Sequence, residues 1–183
     1  MKNLEIYIHI PFCVRKCEYC DFLSFPADDD AKLRYVKGLM AEMIFYGPLM
    51  KNYQVSSVYI GGGTPSSIDE QWIAALMEGV FDCFNVLPDA EISIECNPGT
   101  LSREKLLAYR DAGINRLSIG LQSANNDELK QLGRIHTFEQ FVTNYEVARN
   151  VGFKNINVDL MYGLPGQSAS QYMATVNKII RLH

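Results

Sequence analysis

The sequence contains no run of about 18 apolar residues, the length a membrane-spanning helix needs. Glu5 and His9 interrupt the first apolar stretch, so the apolar centre of a signal peptide is missing as well. The 183 residues include 17 Lys and Arg against 21 Asp and Glu, a net charge of −4 that lacks the basic excess of nucleic-acid-binding proteins. We therefore expect a cytoplasmic globular domain that binds no nucleic acid and has no transmembrane segment, which leaves peripheral membrane association open.

Cysteine is scarce and unevenly placed. Three of the five cysteines, Cys13, Cys17 and Cys20, lie within eight residues, and an odd total argues against a disulfide framework. Three close thiolates can hold three corners of an iron–sulfur cluster, whose fourth iron would stay open for another ligand. Zinc and free thiols remain alternatives, although no second cysteine pair completes a four-ligand zinc site. We expect Cys83 to be a core residue and Cys96 a small buried residue, less favoured as an extra ligand.

Short β-rich segments alternate with longer segments of helical periodicity. Ser102, and Thr137 with Gln140 three residues later, are predicted helix caps. The five strand–helix units predict a parallel sheet, and the likeness between residues 110–120 and 149–159 is typical of a barrel of repeated βα units. The strands are predicted at residues 4–10, 55–60, 91–95, 116–119 and 156–160, and the helices at 31–50, 68–84, 102–111, 137–150 and 168–182.

Five units are fewer than a closed barrel needs. A complete eight-unit barrel takes about 250 residues, and this sequence stops on a predicted helix with no strand to follow. We therefore expect residues 1–183 to be the N-terminal part of a longer protein.

Unusual polar clusters follow the predicted strands. In parallel α/β folds, ligands bind at the carboxyl ends of the strands, so these clusters should converge on one face. The glycines at positions 61–63 allow close backbone approach, but they lack the lysine of a phosphate loop and the dinucleotide spacing. Glu95 can accept hydrogen bonds from a hydroxylated ligand such as ribose, and Asp159 stands in an apolar strand where an unpaired charge would be costly.

Purely structural roles are alternatives for several of these residues. The glycines fit a tight turn before a helix, and Glu95 fits an acidic surface turn. Gln122 can offer amide hydrogen bonds. Arg134 can pair with a carboxylate, but without further context a surface charge is the favoured interpretation.

Together these residues resemble the radical S-adenosylmethionine (SAM) superfamily. Its cluster signature is Cys-x3-Cys-x2-Cys with an aromatic residue before the last cysteine, here Tyr19. Segments 7–13, 61–66, 116–120 and 163–167 are similar to the oxygen-independent coproporphyrinogen III oxidase group within it. The resemblance implies an α/β fold, a partial (β/α) TIM-type barrel with about five of six βα units in this radical SAM core domain. The sixth unit and a C-terminal domain are then expected beyond His183.

The resemblance also implies roles for individual residues. Cys13, Cys17 and Cys20 would ligate three irons of a [4Fe-4S] cluster, whose open iron takes the amino and carboxylate groups of SAM. The glycine segment would hold the amino end of the methionine, and Glu95 the ribose. Contacts to SAM, or to a second copy of it, are implied for nine residues: Tyr7, Tyr19, Gly62, Gly63, Thr64, Glu95, Gln122, Arg134 and Asp159.

Two branches of the group differ near the cysteines. The coproporphyrinogen dehydrogenases carry a further cysteine two residues after the third, where this sequence has Phe22, and a longer segment before the first strand. In both respects the sequence resembles the haem chaperone branch, which implies haem, a haem-acceptor protein and an electron donor as partners. A radical enzyme acting on a porphyrinogen, and a truncated domain that binds nothing stably, are the alternatives. His9, His136 and His183, the three histidines, single out no axial haem ligand.

Overall fold

A computed structural model of the chain describes residues 2–182, in which strands and helices alternate from end to end. The strands are β1 (Lys2–Ile10), β2 (Tyr53–Gly62), β3 (Val86–Cys96), β4 (Arg116–Gln122) and β5 (Asn155–Leu160). The helices are α1 (Asp29–Tyr46), α2 (Glu70–Cys83), α3 (Arg103–Asp111), α4 (Asn126–Gln131), α5 (Phe138–Asn150) and α6 (Ala169–Ile180). Short 3₁₀ turns cover Gly47–Met50, Pro65–Ser67 and Pro98–Thr100.

The five strands form one parallel sheet in the order β1-β2-β3-β4-β5. This confirms the predicted parallel sheet of five βα units. The predicted sixth unit stays a prediction. Among residues 2–182, no helix is both long and apolar enough to cross a membrane.

The two faces of the sheet differ sharply in polarity. Because side chains alternate along a strand, residues paired across the sheet form rows that face one side or the other. One row is apolar and packs in the core beneath the helices: Ile8, Ile60, Ile94, Leu117 and Ile156. The adjacent row is polar and faces the other way: Tyr7, Tyr59, Ser93, Arg116 and Asn155. The inside of this partial barrel is therefore polar, whereas branched apolar side chains dominate the interior of a closed barrel.

Two boundaries differ from the sequence prediction for local reasons. The first helix ends at Tyr46 rather than at residue 50, because Pro48 lacks the amide that a continuing α-helix needs. Strand β3 begins five residues early, at Val86, and contains Pro88. A register shift between Val55 and Ser57 leaves the proline outside the regular pairing, where its missing amide costs nothing.

The helix caps follow the prediction more closely. The Ser102 side chain accepts from the Lys105 amide, and Thr137 and Gln140 form a reciprocal capping box. Helix α4 was not predicted, because a single apolar residue, Leu129, among its six residues gives no helical periodicity. The Asn125 side chain caps it by accepting from the Asp127 amide.

We expect Thr137→Ala to lower the free energy of unfolding by about 1 kcal/mol, because it removes the capping oxygen of α5. Thr143→Ala is the matched control on the same helix, since its exposed hydroxyl donates only to the Glu139 carbonyl. Urea unfolding measures both variants. If both variants lose the same free energy of unfolding, the Thr137 cap does not contribute to stability as expected.

Candidate functional site

A cleft of about 710 Å³, its open mouth included, lies at the carboxyl ends of the strands. Its wall contains eleven of the twelve residues expected to hold a cluster or SAM: Cys13, Cys17, Tyr19, Cys20, Gly62, Gly63, Thr64, Glu95, Gln122, Arg134 and Asp159. The sequence clusters that follow five different strands therefore meet in one place.

Tyr7 is the twelfth residue and is not part of the cleft wall. Its side chain is 58% exposed, and its hydroxyl lies 2.9 Å from Nδ1 of His9. Its ring centroid is 6.2 Å from that of Tyr59, on the polar face of the sheet.

The loop that carries the three cysteines is fastened to the barrel at both ends. The Cys13 amide donates to the Phe25 carbonyl at 3.2 Å, and the Phe25 amide donates to the Pro11 carbonyl at 2.9 Å. Further along, the Glu18 amide donates to the Leu132 carbonyl at 3.2 Å. These backbone bonds hold the loop over the strand ends.

The three thiols are free, half-buried and open to the same cleft. Within residues 2–182, no three His, Cys, Asp or Glu side chains are grouped as ligands of a single metal ion. Polar groups approach two of the sulfurs: the Thr64 hydroxyl lies 3.4 Å from Cys13 Sγ, and the Arg134 guanidinium donates to Cys17 Sγ at 3.6 Å. Soft thiolate donors with hydrogen bonds to sulfur are the ligand chemistry that iron–sulfur clusters use, so the residues present fit such a cluster.

The glycine segment is shaped by close contacts rather than by a turn alone. A Cβ on Gly63 would lie 2.7 Å from the Phe12 carbonyl oxygen and 3.1 Å from Cys13 Sγ. Gly62 has a φ of +119°, and a Cβ there would lie 2.6 Å from the His9 ring. Both positions therefore need glycine, because a side chain would collide with the His9 ring at Gly62 and with the start of the cysteine loop at Gly63.

Glu95 is held by two donors from the neighbouring strand. The Tyr59 hydroxyl donates to Oε1 at 2.8 Å, and the Gly62 amide donates to Oε2 at 3.0 Å. Tyr59 was not predicted from the sequence as a site residue. The available signal was the alternation along β2, which places Tyr59 on the same face as the glycine two residues later.

The end of β4 departs from regular strand geometry. Gln122 has a φ of +75°, the only left-handed non-glycine residue among those described, at a register shift between β4 and β5. Strain of this kind is found where a side chain must be aimed at a site, and Gln122 lines the cleft.

Arg134 joins this strand end to the cysteine loop. Its guanidinium donates to the Gly120 carbonyl and, at 3.4 Å, to the Tyr19 hydroxyl, in addition to Cys17. Its Nε is buried without a partner among the described residues. Arg134 is therefore a half-buried residue of the cleft wall whose Nε can still donate a hydrogen bond, rather than a surface charge.

Asp159 corrects the expectation of a carboxylate buried in an apolar strand. It is exposed on the polar face, where Asn157 donates to Oδ1 at 2.6 Å and Ser118 donates to Oδ2 at 3.4 Å. Its place in the cleft wall follows from strand alternation rather than from the cost of burial.

The two other cysteines have structural roles. Cys96 is buried, its thiol donates to the Ile94 carbonyl, and burial raises the pKa of the thiol, which keeps it protonated. Cys83 ends α2 and packs against the core, as expected. His9 is half-buried, with Nε2 lying 3.3 Å from the Leu23 carbonyl, and His183 lies outside the described residues.

His136 is buried behind Arg134. Its Nδ1 lies 3.2 Å from the Asn97 amide oxygen, and its Nε2 has no partner among the described residues. Burial, with a smaller contribution from the Arg134 charge, lowers the pKa of His136 to about 4. The histidine is therefore neutral near pH 7.

We expect Gly63→Ala to retain less than about half of the wild-type iron after anaerobic reconstitution, because the added methyl group collides with the backbone of the cysteine loop. Gly38→Ala is the control, since a Cβ at that helical position meets nothing within 4 Å. Iron and sulfide analysis measures both variants. Wild-type iron content in Gly63→Ala would show that the close approach is dispensable.

We expect His136 to make the metal-free protein less stable in acid. Between pH 6.5 and 4, His136 is protonated in the unfolded chain but neutral in the folded chain. Because the unfolded state binds the additional proton, the free energy of unfolding falls as the pH falls. His136→Gln should reduce the loss between pH 7 and pH 4.5 by about 2 kcal/mol, measured by urea unfolding. The same loss in both proteins would refute this assignment.

Comparison with known proteins places these features in a family. The family model described as the radical SAM superfamily matches residues 7–179. The heme chaperone HemW of Escherichia coli (strain K12) is 38% identical over 186 residues, covering 98% of this chain and 48% of the relative. HemW of Bacillus subtilis (strain 168) is 38% identical over 177 residues, covering 96% and 47%. The chain spans about half the length of these curated relatives.

A solved structure gives the same picture. Coproporphyrinogen III oxidase (HemN) from Escherichia coli, described as a radical SAM enzyme, superposes with a TM-score of 0.91 and 32% sequence identity. The match covers 100% of this chain and 42% of that one. The five-stranded parallel sheet is therefore part of a TIM-type partial barrel.

Proposed function

This chain belongs to the radical SAM superfamily, and we propose that it binds a [4Fe-4S] cluster and SAM in the cleft and acts as a haem chaperone that passes haem to an acceptor protein. The observation that carries the cofactor proposal is the meeting of three free thiols, the close-packed glycines and the side chains of Glu95 and Arg134 in one cleft. The relatives named heme chaperone support the haem proposal.

Each wall residue has a definable task in this proposal. Cys13, Cys17 and Cys20 would hold three irons of a cluster, which in its reduced form would supply one electron to SAM. Arg134 donates to the Cys17 sulfur and would stabilise the negative charge of an iron-bound thiolate there. Its unpartnered Nε is suited to a carboxylate.

The other wall residues suit the remaining parts of SAM. The close contacts of Gly62 and Gly63 hold the glycine segment in the cleft wall, and Glu95 presents acceptor oxygens to hydroxyl groups. The Gln122 amide and the Asp159 carboxylate offer further hydrogen bonds from the β4 and β5 ends of the cleft.

Phe22 favours the chaperone over the enzyme. It lies in the cleft wall, and its side chain is 70% exposed. The coproporphyrinogen dehydrogenases that the sequence resembles carry a cysteine at this position. A phenyl ring cannot ligate iron but suits the apolar face of a porphyrin. An electron donor for the cluster is a further proposed partner.

A coproporphyrinogen III dehydrogenase is the second candidate. The close superposition on HemN, a coproporphyrinogen III oxidase, favours it. An HemZ relative of Bacillus subtilis (strain 168), described as oxygen-independent coproporphyrinogen-III oxidase-like, is 36% identical and covers 98% of this chain and 37% of the relative.

We expect the protein, reconstituted anaerobically with iron and sulfide, to bind haem in an absorbance titration. With SAM, reductant and coproporphyrinogen III, mass spectrometry should detect no decarboxylated product, because Phe22 stands where the enzymes have a cysteine. The triple variant Cys13→Ala, Cys17→Ala and Cys20→Ala should lose the cluster, whereas Cys83→Ala, a core cysteine, should keep it.

Product at multiple turnovers would overturn the chaperone proposal in favour of the dehydrogenase. Absence of haem binding by the cluster-loaded protein would overturn it as well. A known coproporphyrinogen III oxidase, run in parallel, shows that the assay detects product.

A further inference from the structure

The Glu95 carboxylate is fixed before any ligand arrives. Tyr59 donates to Oε1 at 2.8 Å from β2, and the Gly62 amide donates to Oε2 at 3.0 Å from the end of the same strand. One donor therefore holds each oxygen, and the carboxylate plane cannot turn without breaking a hydrogen bond.

A carboxylate held in this way retains acceptor capacity. Each oxygen accepts up to two hydrogen bonds, so one lone pair on each remains for the cleft that Glu95 lines. Two parallel acceptor oxygens match two neighbouring hydroxyl groups. The chemistry that fits Glu95 is thus a vicinal diol, such as the 2′- and 3′-hydroxyls of a ribose.

Tyr59 contributes to this arrangement from outside the cleft wall. It is half-buried on the polar face of the sheet, between Tyr7 and Ser93. Burial and the hydrogen bond to Glu95 raise the pKa of Tyr59, so the phenol keeps its proton. Tyr7 does not replace it, because the Tyr7 hydroxyl lies 2.9 Å from the His9 ring nitrogen instead.

We propose that Tyr59 is a positioning residue that orients Glu95 toward both ribose hydroxyls of SAM, and that selection of a ligand with an intact vicinal diol depends on it. The inference rests on the proposed binding of SAM in this cleft. If Tyr59 had only a structural role, its hydroxyl would contribute to folding. It would not change the preference of the protein for SAM over the deoxy analogues.

The test compares SAM with its 2′-deoxy and 3′-deoxy analogues by calorimetric titration of the cluster-loaded protein. We expect Tyr59→Phe to weaken SAM binding about tenfold, because a charge-assisted hydrogen bond is lost and Glu95 can turn. Binding of either deoxy analogue should change by less than about twofold, since the bidentate contact is already broken in those complexes. The preference for SAM over the analogues should therefore collapse in the variant.

Tyr35→Phe is the matched control. The Tyr35 hydroxyl also makes one hydrogen bond of 2.8 Å, but its acceptor, the His9 carbonyl, is not part of the cleft wall. It should keep the wild-type preference. Glu95→Asp is a second variant, which retains the charge but withdraws the carboxylate from both donors, and it should lose the preference as Tyr59→Phe does.

The outcomes separate the inference from the proposed function. Wild-type protein that carries its cluster but does not bind SAM would overturn both. Wild-type protein that prefers SAM over the deoxy analogues, with the same preference in Tyr59→Phe, would overturn the positioning role alone. Should Tyr59→Phe fail to fold, retention of the preference in Glu95→Asp would overturn it equally.

Discussion

Five parallel strands turn alternate side chains toward opposite faces, and this constraint produces both the core and the cleft. The row from Ile8 to Ile156 lies among the helices, where each fully buried branched side chain stabilises the fold by roughly 1.5–3 kcal/mol. A shift of one residue in register would exchange that row with the polar row beside it. Burial of the apolar face therefore also fixes the direction of Tyr59, Glu95 and Asp159, although none of them contributes to the core.

Parallel pairing adds the second condition, because all carboxyl ends reach the same edge of the sheet. The cysteine loop is held there by backbone hydrogen bonds at Cys13 and Phe25, and Arg134 links it to β4. Glycine at position 63 removes the atoms that would keep the loop and the end of β2 apart, and glycine at position 62 leaves room for the His9 ring. The donors around the sulfurs thus come from elements whose positions the sheet already determines.

Periodicity and caps were sufficient to predict the five units, their parallel order and the caps at Ser102 and Thr137. The cluster and SAM residues came from a resemblance, and the structure places eleven of the twelve in one cleft. Short elements escaped prediction because six residues with one apolar position show no period, as in α4. The role of Tyr59 was not predicted because it depends on the pairing of β2 with β3. Asp159 was expected to be buried because a single sequence does not show which face of a strand meets water.

The central claim is that three cysteines of this cleft hold a four-iron cluster with one iron open to SAM. Mössbauer spectroscopy of protein reconstituted with ⁵⁷Fe, before and after addition of SAM, tests it most directly. The account predicts the spectrum of a [4Fe-4S] cluster in which the signal of a single iron site changes when SAM is added. A spectrum of another iron species, or a four-iron spectrum that SAM leaves unchanged, would contradict it.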